Sequence, residues 1–521
     1  MDRGMSLEEL LEQDFGTIPE LIHYHAQEAP QRIAVIGEAR QVTYREFDAL
    51  CDRAAASLQR DGLAPRSAIA VCALSSIEYA ALFFGALRVG IAVSPLAPSS
   101  TPESLAVMVA DCGSPLLFYD ASTEPVLRNV DAKITRITLD GSAGGKPFRY
   151  WLMPDGAKPK PVEIEPEWPF NIIYSSGTTG VPKGIVQSHG MRWQHVRRAN
   201  LFGYGPDAIA IISTPLYSNT TLVSFFPTLA LGGTAVLMKK FDAATFARLA
   251  EKHRATHAML VPVQYSRLMA LPDFDKHDLS SFRMKFSTSA PFNAALKADI
   301  LKRWPGGLVE YYGMTEGGGT CILAAHEFPD KLHTVGRPSE GHDIRLIDEN
   351  GREVGPGEVG EVVGHSPAMM NGYHNQPDKT AEAEWCDPSG KRFIRTGDVG
   401  RFDADGFLQL MDRRKDMIIS GGFNIYPSDL EAVIAAHPDV AEASVIGVPS
   451  EAWGETPVAF VVLRAGSSAS ADALREWANS RLGKTQRLNA VEIVDALPRS
   501  AIGKVLKREL RDEWVSSGRR A

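Results

Sequence analysis

The 521-residue chain is poor in cysteine, with five at positions 51, 72, 112, 321 and 386 and no Cys-x-x-Cys pair. Sparse, odd in number and unclustered, they exclude a disulfide framework and a cysteine zinc site, and imply reduced thiols in a cytoplasmic protein. An excess of positive charge is missing too. Lys and Arg number 55 against 63 Asp and Glu, a net charge of −8 with a pI near 6.0. That balance argues against a general nucleic-acid binder and against a partner on an anionic membrane. There is no long unbroken apolar run: the most apolar stretch, Ala80 to Ala97, is interrupted by Arg88 and by prolines at its end. It reads as a buried helix and strand, not a membrane span. The first residues, Met1-Asp-Arg-Gly-Met-Ser-Leu-Glu-Glu9, place acids where a signal peptide is apolar. What is present is ordinary for a globular protein, 44% hydrophobic and 23% charged. The length exceeds one core and predicts two or more domains.

The densest chemistry lies in Tyr174-Ser-Ser-Gly-Thr-Thr-Gly-Val-Pro-Lys-Gly184, directly after the apolar run Phe170-Asn-Ile-Ile173. Glycines allow close backbone approach and leave amide N–H groups turned outward. The hydroxyls of Ser175, Ser176, Thr178 and Thr179 add donors, and Lys183 adds a full positive charge. The collection suits a polyphosphate. It is not the common phosphate loop, because Gly177 and Gly180 are too close and no Lys-Ser/Thr pair follows at the required spacing.

Periodicity organises the rest. Apolar strands at Ile69–Ala73, Ile91–Pro95, Pro115–Tyr119, Ala208–Ile212, Thr234–Met238 and Ala258–Val261 alternate with helical segments such as Ile77–Val89, the signature of layered α/β architecture. From about Asp343 short strands divided by Gly/Pro/Asp turns form a compact β unit: Ile344–Ile347, Gly360–Val363 and Phe407–Leu410. The charged segment Asp412-Arg-Arg-Lys-Asp416 follows. Beyond it an α+β pattern has helices near Pro427–Ile434, Ala471–Leu482 and Lys504–Trp514, and strands at Ala443–Ile446, Val458–Leu463 and Val491–Val494. The division expected is residues 1–411 as a large domain, 412–416 as a hinge, and 417–521 as a small mobile domain.

Four further motifs accompany the loop: Tyr311-Tyr-Gly-Met-Thr-Glu316, Ile394-Arg-Thr-Gly-Asp398, Asp412-Arg-Arg-Lys-Asp416 before Ile419-Ser-Gly-Gly-Phe-Asn-Ile425, and Pro498-Arg-Ser-Ala-Ile-Gly-Lys504. In this order they closely resemble the AMP-forming adenylating superfamily of acyl- and aryl-CoA synthetases, peptide-synthetase adenylation domains and beetle luciferases, from about residue 20 to 512. The resemblance implies the adenylate-forming fold: a multi-subdomain N-terminal α/β domain with a small β unit, and a mobile α+β C-terminal domain. It implies ATP and Mg²⁺, with coenzyme A as co-substrate, and a small carboxylic acid as the other partner. Carried over residue by residue, Ser175, Thr178, Thr179 and Lys183 hold the β- and γ-phosphates and Glu316 is the Mg²⁺ ligand. Thr315 contacts the α-phosphate, Tyr312 packs on adenine beside Ser289, Ala290 and Pro291, Asp398 takes the ribose hydroxyls, and Arg413 supports the ribose and phosphate side. Lys504 is the catalytic lysine of adenylation, Lys415 the pivot, and Gly421 and Gly422 line the pantetheine tunnel. The segment ending at Lys504 also resembles one that is reversibly acetylated in related bacterial synthetases, which implies an acetyltransferase and deacetylase as partners. A monomer or homodimer is expected.

The acid pocket departs from the family pattern. Pro215-Leu-Tyr-Ser-Asn-Thr-Thr221 puts Ser218 where a histidine is usual, and Ser287-Thr-Ser-Ala-Pro291 puts Thr288 where a glycine is usual. With Tyr217, Asn219, Ser224, Gly313 and Gly319, and apolar walls from Phe225 to Pro227, the pocket mixes polar and apolar groups. It points to an aromatic acid, benzoate- or cinnamate-like, with medium-chain and alicyclic acids also open. The small run Gly317-Gly-Gly319 is expected to enlarge the cavity. The leading reading is an acid–CoA ligase; the alternative is an adenylating enzyme that loads a separate acyl-carrier protein. A luciferase-like oxygenase is disfavoured, and a silent nucleotide-binding scaffold is opposed by Lys183, Glu316, Asp398, Arg413 and Lys504 occurring together.

Overall fold

The structure is a computed structural model and describes residues 5–175, 182–413, 416–420, 423–450, 453–483, 486–500 and 504–517. Two compact units are present: Met1–Asp343 with Gly364–Ile394, and Ile344–Val363 with Arg395–Ala521. Residues 412–416 fall within the second unit, and Arg414 and Lys415 lie outside the described residues.

The first unit is built on two large sheets. In one, the spatial order is Gly372–Tyr373, Lys183–Ser188, Pro169–Ser175, Ala92–Pro95, Ala68–Cys72, Leu116–Tyr119, Thr135–Thr138 and Lys146–Pro147. The strands from Pro169–Ser175 onward run parallel, whereas Lys183–Ser188 and Gly372–Tyr373 add antiparallel edges. In the other, five parallel pairings join Ile33–Ile36, Thr234–Leu237, Ile209–Ile212, His257–Leu260, Met284–Ser287 and Gly307–Gly313, and antiparallel strands close both edges. Ala68–Cys72, Ala92–Pro95, Leu116–Tyr119 and His257–Leu260 are buried at every position. This is why they read as continuous apolar runs and not as alternating ones. The layered α/β expectation is met, and the strands lie within a residue or two of their sequence positions.

Helices Tyr44–Arg60, Ile77–Arg88 and Asn219–Ala230 share one aromatic core through Phe47, Phe83, Phe84, Phe225 and Phe226. The first begins with a reciprocal cap, Thr43 and Glu46 each bonding the other's backbone N–H. Gly85 lets the second approach the first: a Cβ there would lie 2.8 Å from Ala54 Cβ and from the Cys51 carbonyl oxygen. Arg88, which interrupts the apolar stretch, ion-pairs with Asp48 at 2.5 Å and with Asp52. Among the described residues no helix is long and apolar enough to cross a membrane. All five cysteines are unpaired, four buried and Cys386 exposed.

In the second unit Phe423–Ile425, Ile418–Ser420, Gly454–Leu463 and Val440–Ser450 form an antiparallel sheet, with Ala490–Ile493 added in parallel to Gly454–Leu463. The two-residue period of the Gly454–Leu463 strand explains why there are two cores. Ala459 and Val461 meet Leu430, Ile434, Leu474 and Ala478, while Val458 and Phe460 meet Leu510 and Trp514 of the last helix, Lys507–Ser516.

Candidate functional site

The Pro169–Ser175 and Lys183–Ser188 strands are antiparallel, with Ser175 opposite Lys183 and Tyr174 opposite Gly184. At the ends of these strands nearest the Gly/Ser/Thr segment, a hydroxyl and an ammonium stand opposite each other. Thr178 and Thr179 lie outside the described residues. Gly184 meets a spatial demand at these strand ends, since a Cβ there would come within 2.8 Å of Ile172 and 3.0 Å of Tyr174.

A second antiparallel pair carries the Tyr311–Glu316 motif. Gly307–Gly313 and Thr320–Ala324 pair antiparallel, with Gly313 opposite Thr320, so Met314–Gly319 is their connecting loop and holds Thr315 and Glu316. Segment 366–370 fastens that loop. Met370 N–H donates to the Glu316 carbonyl at 2.8 Å, and Ser366 Oγ donates to the Gly317 carbonyl at 2.7 Å. Gly317 and Gly318 serve this seam. A Cβ on Gly317 would lie 1.9 Å from the Ala368 carbonyl oxygen, and one on Gly318 would lie 2.5 Å from Ile394 Cβ. At these two positions small size serves contact with the Ala368 backbone and the Ile394 side chain, which corrects there the expectation that it enlarges a cavity.

Tyr373 links the two strand pairs, and no motif pointed to it. Its strand pairs with Lys183–Ser188, Tyr373 opposite Ile185. The phenol donates to Glu316 Oε1 at 2.9 Å, and Lys183 Nζ stands 5.0 Å from the ring centroid. Burial first, then the neighbouring carboxylate, push the phenol's pKa well up, so it stays a donor across the working range. Glu316 is thus tied to a phenol whose ring lies under Lys183. Mg²⁺ takes one or two carboxylates and completes its shell with substrate phosphates and water. Among the described residues no cluster of three or more His, Cys, Asp or Glu could hold a metal by itself. A Glu316 carboxylate fits an ion that arrives with a nucleotide.

A buried polar network backs the Thr315 side. Gln187 Nε2 donates to the Thr315 carbonyl at 2.7 Å, and Asn171 Nδ2 donates to Gln187 Oε1 at 3.0 Å. Arg192, 1% exposed, donates to Asn171 at 3.1 Å, to Asn219 Oδ1 at 2.8 Å and to Gln187 Oε1. Asn219 opens the helix Asn219–Ala230, and Ser218 is its N-cap residue, buried, with no side-chain capping bond. Ser289 occupies left-handed backbone, φ 80°, a strain of about 1–2 kcal/mol for a residue with a Cβ. Its hydroxyl is tied to that of Thr220 at 2.6 Å. Thr288 and Ala290 flank it half-buried, and Pro291 is exposed. The structure therefore brings Ser175, Lys183, Thr315, Glu316, Asn219 and Ser289 into connected segments of one unit. Ser224 is fully buried against the Tyr204 phenol at 2.9 Å, and Tyr217 is half-buried.

In the second unit, Asp398 follows Gly397 at φ 71° and donates its N–H to Thr396 Oγ1 at 3.0 Å. It lies opposite Arg413 in an antiparallel pair. Lys504 is bonded back to Ser500: Ser500 N–H donates to its carbonyl at 2.8 Å, and its own N–H donates to Ser500 Oγ at 3.2 Å. Gly421 and Gly422 are outside the described residues.

A glycine- and hydroxyl-rich segment of sequence that ends on a lysine, with a carboxylate tied to the phenol under that lysine, suits a polyphosphate and its counter-ion. The chain belongs to the AMP-binding enzyme family: the model of that family matches residues 22–374, and the model of the AMP-binding enzyme C-terminal domain matches 429–504. It is 33% identical to the fatty acid–[acyl-carrier-protein] ligase ScoC of Streptomyces coeruleorubidus over 517 residues, covering 97% of this chain and 98% of that protein. It is 33% identical to an indoleacetate–CoA ligase of Aromatoleum aromaticum over 510 residues, covering 95% and 97%. Among solved structures, ATP-bound MatB from Rhodopseudomonas palustris superposes with a TM-score of 0.87 at 28% identity, covering 97% of this chain and all of that one.

Proposed function

We propose that this chain is an ATP-dependent carboxylic acid–CoA ligase acting on an aromatic acid. The carboxylate oxygen attacks the α-phosphorus of ATP, the bond to the bridging oxygen breaks, and pyrophosphate leaves. The thiol sulfur of CoA then attacks the acyl carbon of the adenylate, the bond to AMP breaks, and the thiol proton is lost to solvent. The first step drives an anion against a polyanion, so fixed positive charge and donors must meet the developing charge. Ser175 and Lys183 are assigned to the outer phosphates together with Thr178 and Thr179. Glu316 would hold Mg²⁺, which when bound offsets phosphate charge. Thr315 is assigned to the α-phosphate, Tyr312 and Ser289–Pro291 to adenine, Asp398 and Arg413 to the ribose side, and Lys504 to the adenylation step.

The observation that carries this reading is the line Lys183–Tyr373–Glu316: a cation and a carboxylate joined by one phenol. The test is AMP release from ATP across a panel of acids, with and without CoA. CoA-dependent AMP release with at least one aryl acid is expected; adenylate formation that CoA never discharges would refute the ligase assignment. The near full-length likeness to an acyl-carrier-protein ligase favours one second reading, transfer to a carrier thiol. Replacing CoA by a phosphopantetheinylated carrier protein in the same assay separates the two.

A further inference from the structure

Helix His189–Ala199 bears Arg192, His195 and Arg198 at three-residue spacing, so all three lie along one flank. Among the described residues no anion pairs with any of them. The Thr320 backbone N–H donates to His342 Nδ1 at 2.9 Å, which makes Nδ1 the acceptor and leaves a neutral ring's proton on Nε2. That Nε2 lies 3.2 Å from Arg198 Nη1. A guanidinium has donors only, so two N–H groups converge on one spot and the acceptor is missing. His195 Nδ1 and Arg192 Nη1 are shielded from solvent and unpartnered among the described residues. The remaining bonds of Arg192 go to the neutral amides of Asn171, Gln187 and Asn219. No carboxylate among the described residues pairs with any of the four groups. Burial and the neighbouring cations hold His195 far below its ordinary pKa and His342 down to about 4, while burial alone takes Arg192 to about 9. Uncompensated positive charge in a dry place calls for an anion.

The cluster adjoins the segments assigned to the acid. Arg192 bonds Asn219, and His342 is fixed by Thr320, the strand partner of Gly313. Arg198 also lies within electrostatic reach of the Tyr311 phenol, whose ring stacks on Phe286 at 5.7 Å with Phe202 edge-on. We infer, resting on the ligase reading above, that the acid adenylated is an aromatic dicarboxylate. One carboxylate reacts and the second accepts from Arg198 Nη1 and His342 Nε2, with Arg192 adding positive potential behind it. Arg198 and His342 are then the residues that set specificity.

The experiment compares matched pairs, benzoate with its three ring dicarboxylates and cinnamate with 4-carboxycinnamate, in ATP- and CoA-dependent AMP release. The expected result is a kcat/KM at least tenfold higher for one dicarboxylate than for its monocarboxylate partner, residing mainly in KM. Arg198→Leu and His342→Leu should each collapse that ratio at least tenfold, and Arg198→Lys should restore part of it. Because the ratio is internal to each variant, a variant that loses folded material still reports. Turnover of monocarboxylates with no dicarboxylate preferred, or a preference that survives Arg198→Leu, overturns the inference and leaves the ligase standing. Turnover of no acid in the panel overturns both. A preference for a phenolic or sulfonated partner over the carboxylated one overturns the choice of a second carboxylate.

Discussion

Replacing Tyr373 by Phe removes one oxygen and leaves the ring in place beneath Lys183. The lost bond, 2.9 Å from phenol to Glu316 Oε1, has an ionised acceptor. Hydrogen bonds to charged groups contribute roughly 1.5–3 kcal/mol, and each 1.4 kcal/mol is about tenfold in an equilibrium constant. If Glu316 must be aimed to receive the metal that accompanies ATP, Tyr373→Phe should lower kcat/KM for ATP by about 10- to 100-fold. The Mg²⁺ concentration giving half-maximal ATP–pyrophosphate exchange should rise in step. Because the phenol's pKa is pushed well up, the ratio of variant to wild type should stay flat between pH 6 and 9. Tyr373→Leu also removes the ring under the ammonium and should cost a further factor of about 2 to 5, the equivalent of an exposed cation–π contact of roughly 0.5–1 kcal/mol. Exchange within twofold of wild type in Tyr373→Phe, at unchanged Mg²⁺ demand, would refute the reasoning.

The ion pair of Lys297 with Glu310 is 1% and 5% exposed at its side chains. Lys297→Met should therefore destabilise the first unit by roughly 3–5 kcal/mol, read as a lower denaturation midpoint, and Lys297→Met/Glu310→Met should recover most of it. Glu310 has a pKa raised by burial to about 7 from 4.5, Lys297 opposing the rise. A carboxyl raised on folding adds stability below pH 4.5 that is lost as pH climbs through 7, so urea midpoints should fall from pH 5.5 to pH 8, and this fall should shrink in Glu310→Gln. Gly317→Ala meets both a backbone oxygen at 1.9 Å and a φ of 75°, so it should abolish ATP–pyrophosphate exchange or prevent accumulation of folded protein, whereas Ser366→Ala, losing one bond to the same loop, should leave folded, weakened enzyme. Lys504→Ala should lower exchange about 10²- to 10³-fold yet still form thioester from supplied acyl-adenylate; undiminished exchange would remove Lys504 from the adenylation step.

The parallel strands were readable because both their faces are buried, so runs such as Ile69–Ala73 stand out from their polar flanks. Motif residues were readable where chemistry concentrates in a short window, as in 174–184 and 311–316. Tyr373 was not, because its strand has two residues and its partner, Ile185, is distant in sequence. Only the fold puts its hydroxyl on Glu316. Arg192, His195 and Arg198 were invisible for a different reason: on a helix, three-residue spacing of cations ordinarily marks a solvated face. It takes His342, far along the chain, to show that this face is walled in. Gly317 and Gly318 illustrate the reverse case. Small size in a sequence leaves open whether space is kept for a ligand or filled by backbone, and here the Ala368 carbonyl and Ile394 fill it.

Gln187 touches the Thr315 carbonyl with one hand and Arg192 with the other, while Arg192 holds Asn219. The segment proposed for the nucleotide and the segment proposed for the acid thus share one hydrogen-bonded crossbar. Efforts to retailor which acid is accepted by changing residues near Asn219 should also shift the apparent affinity for ATP, so the two traits will evolve, and have to be engineered, as a pair.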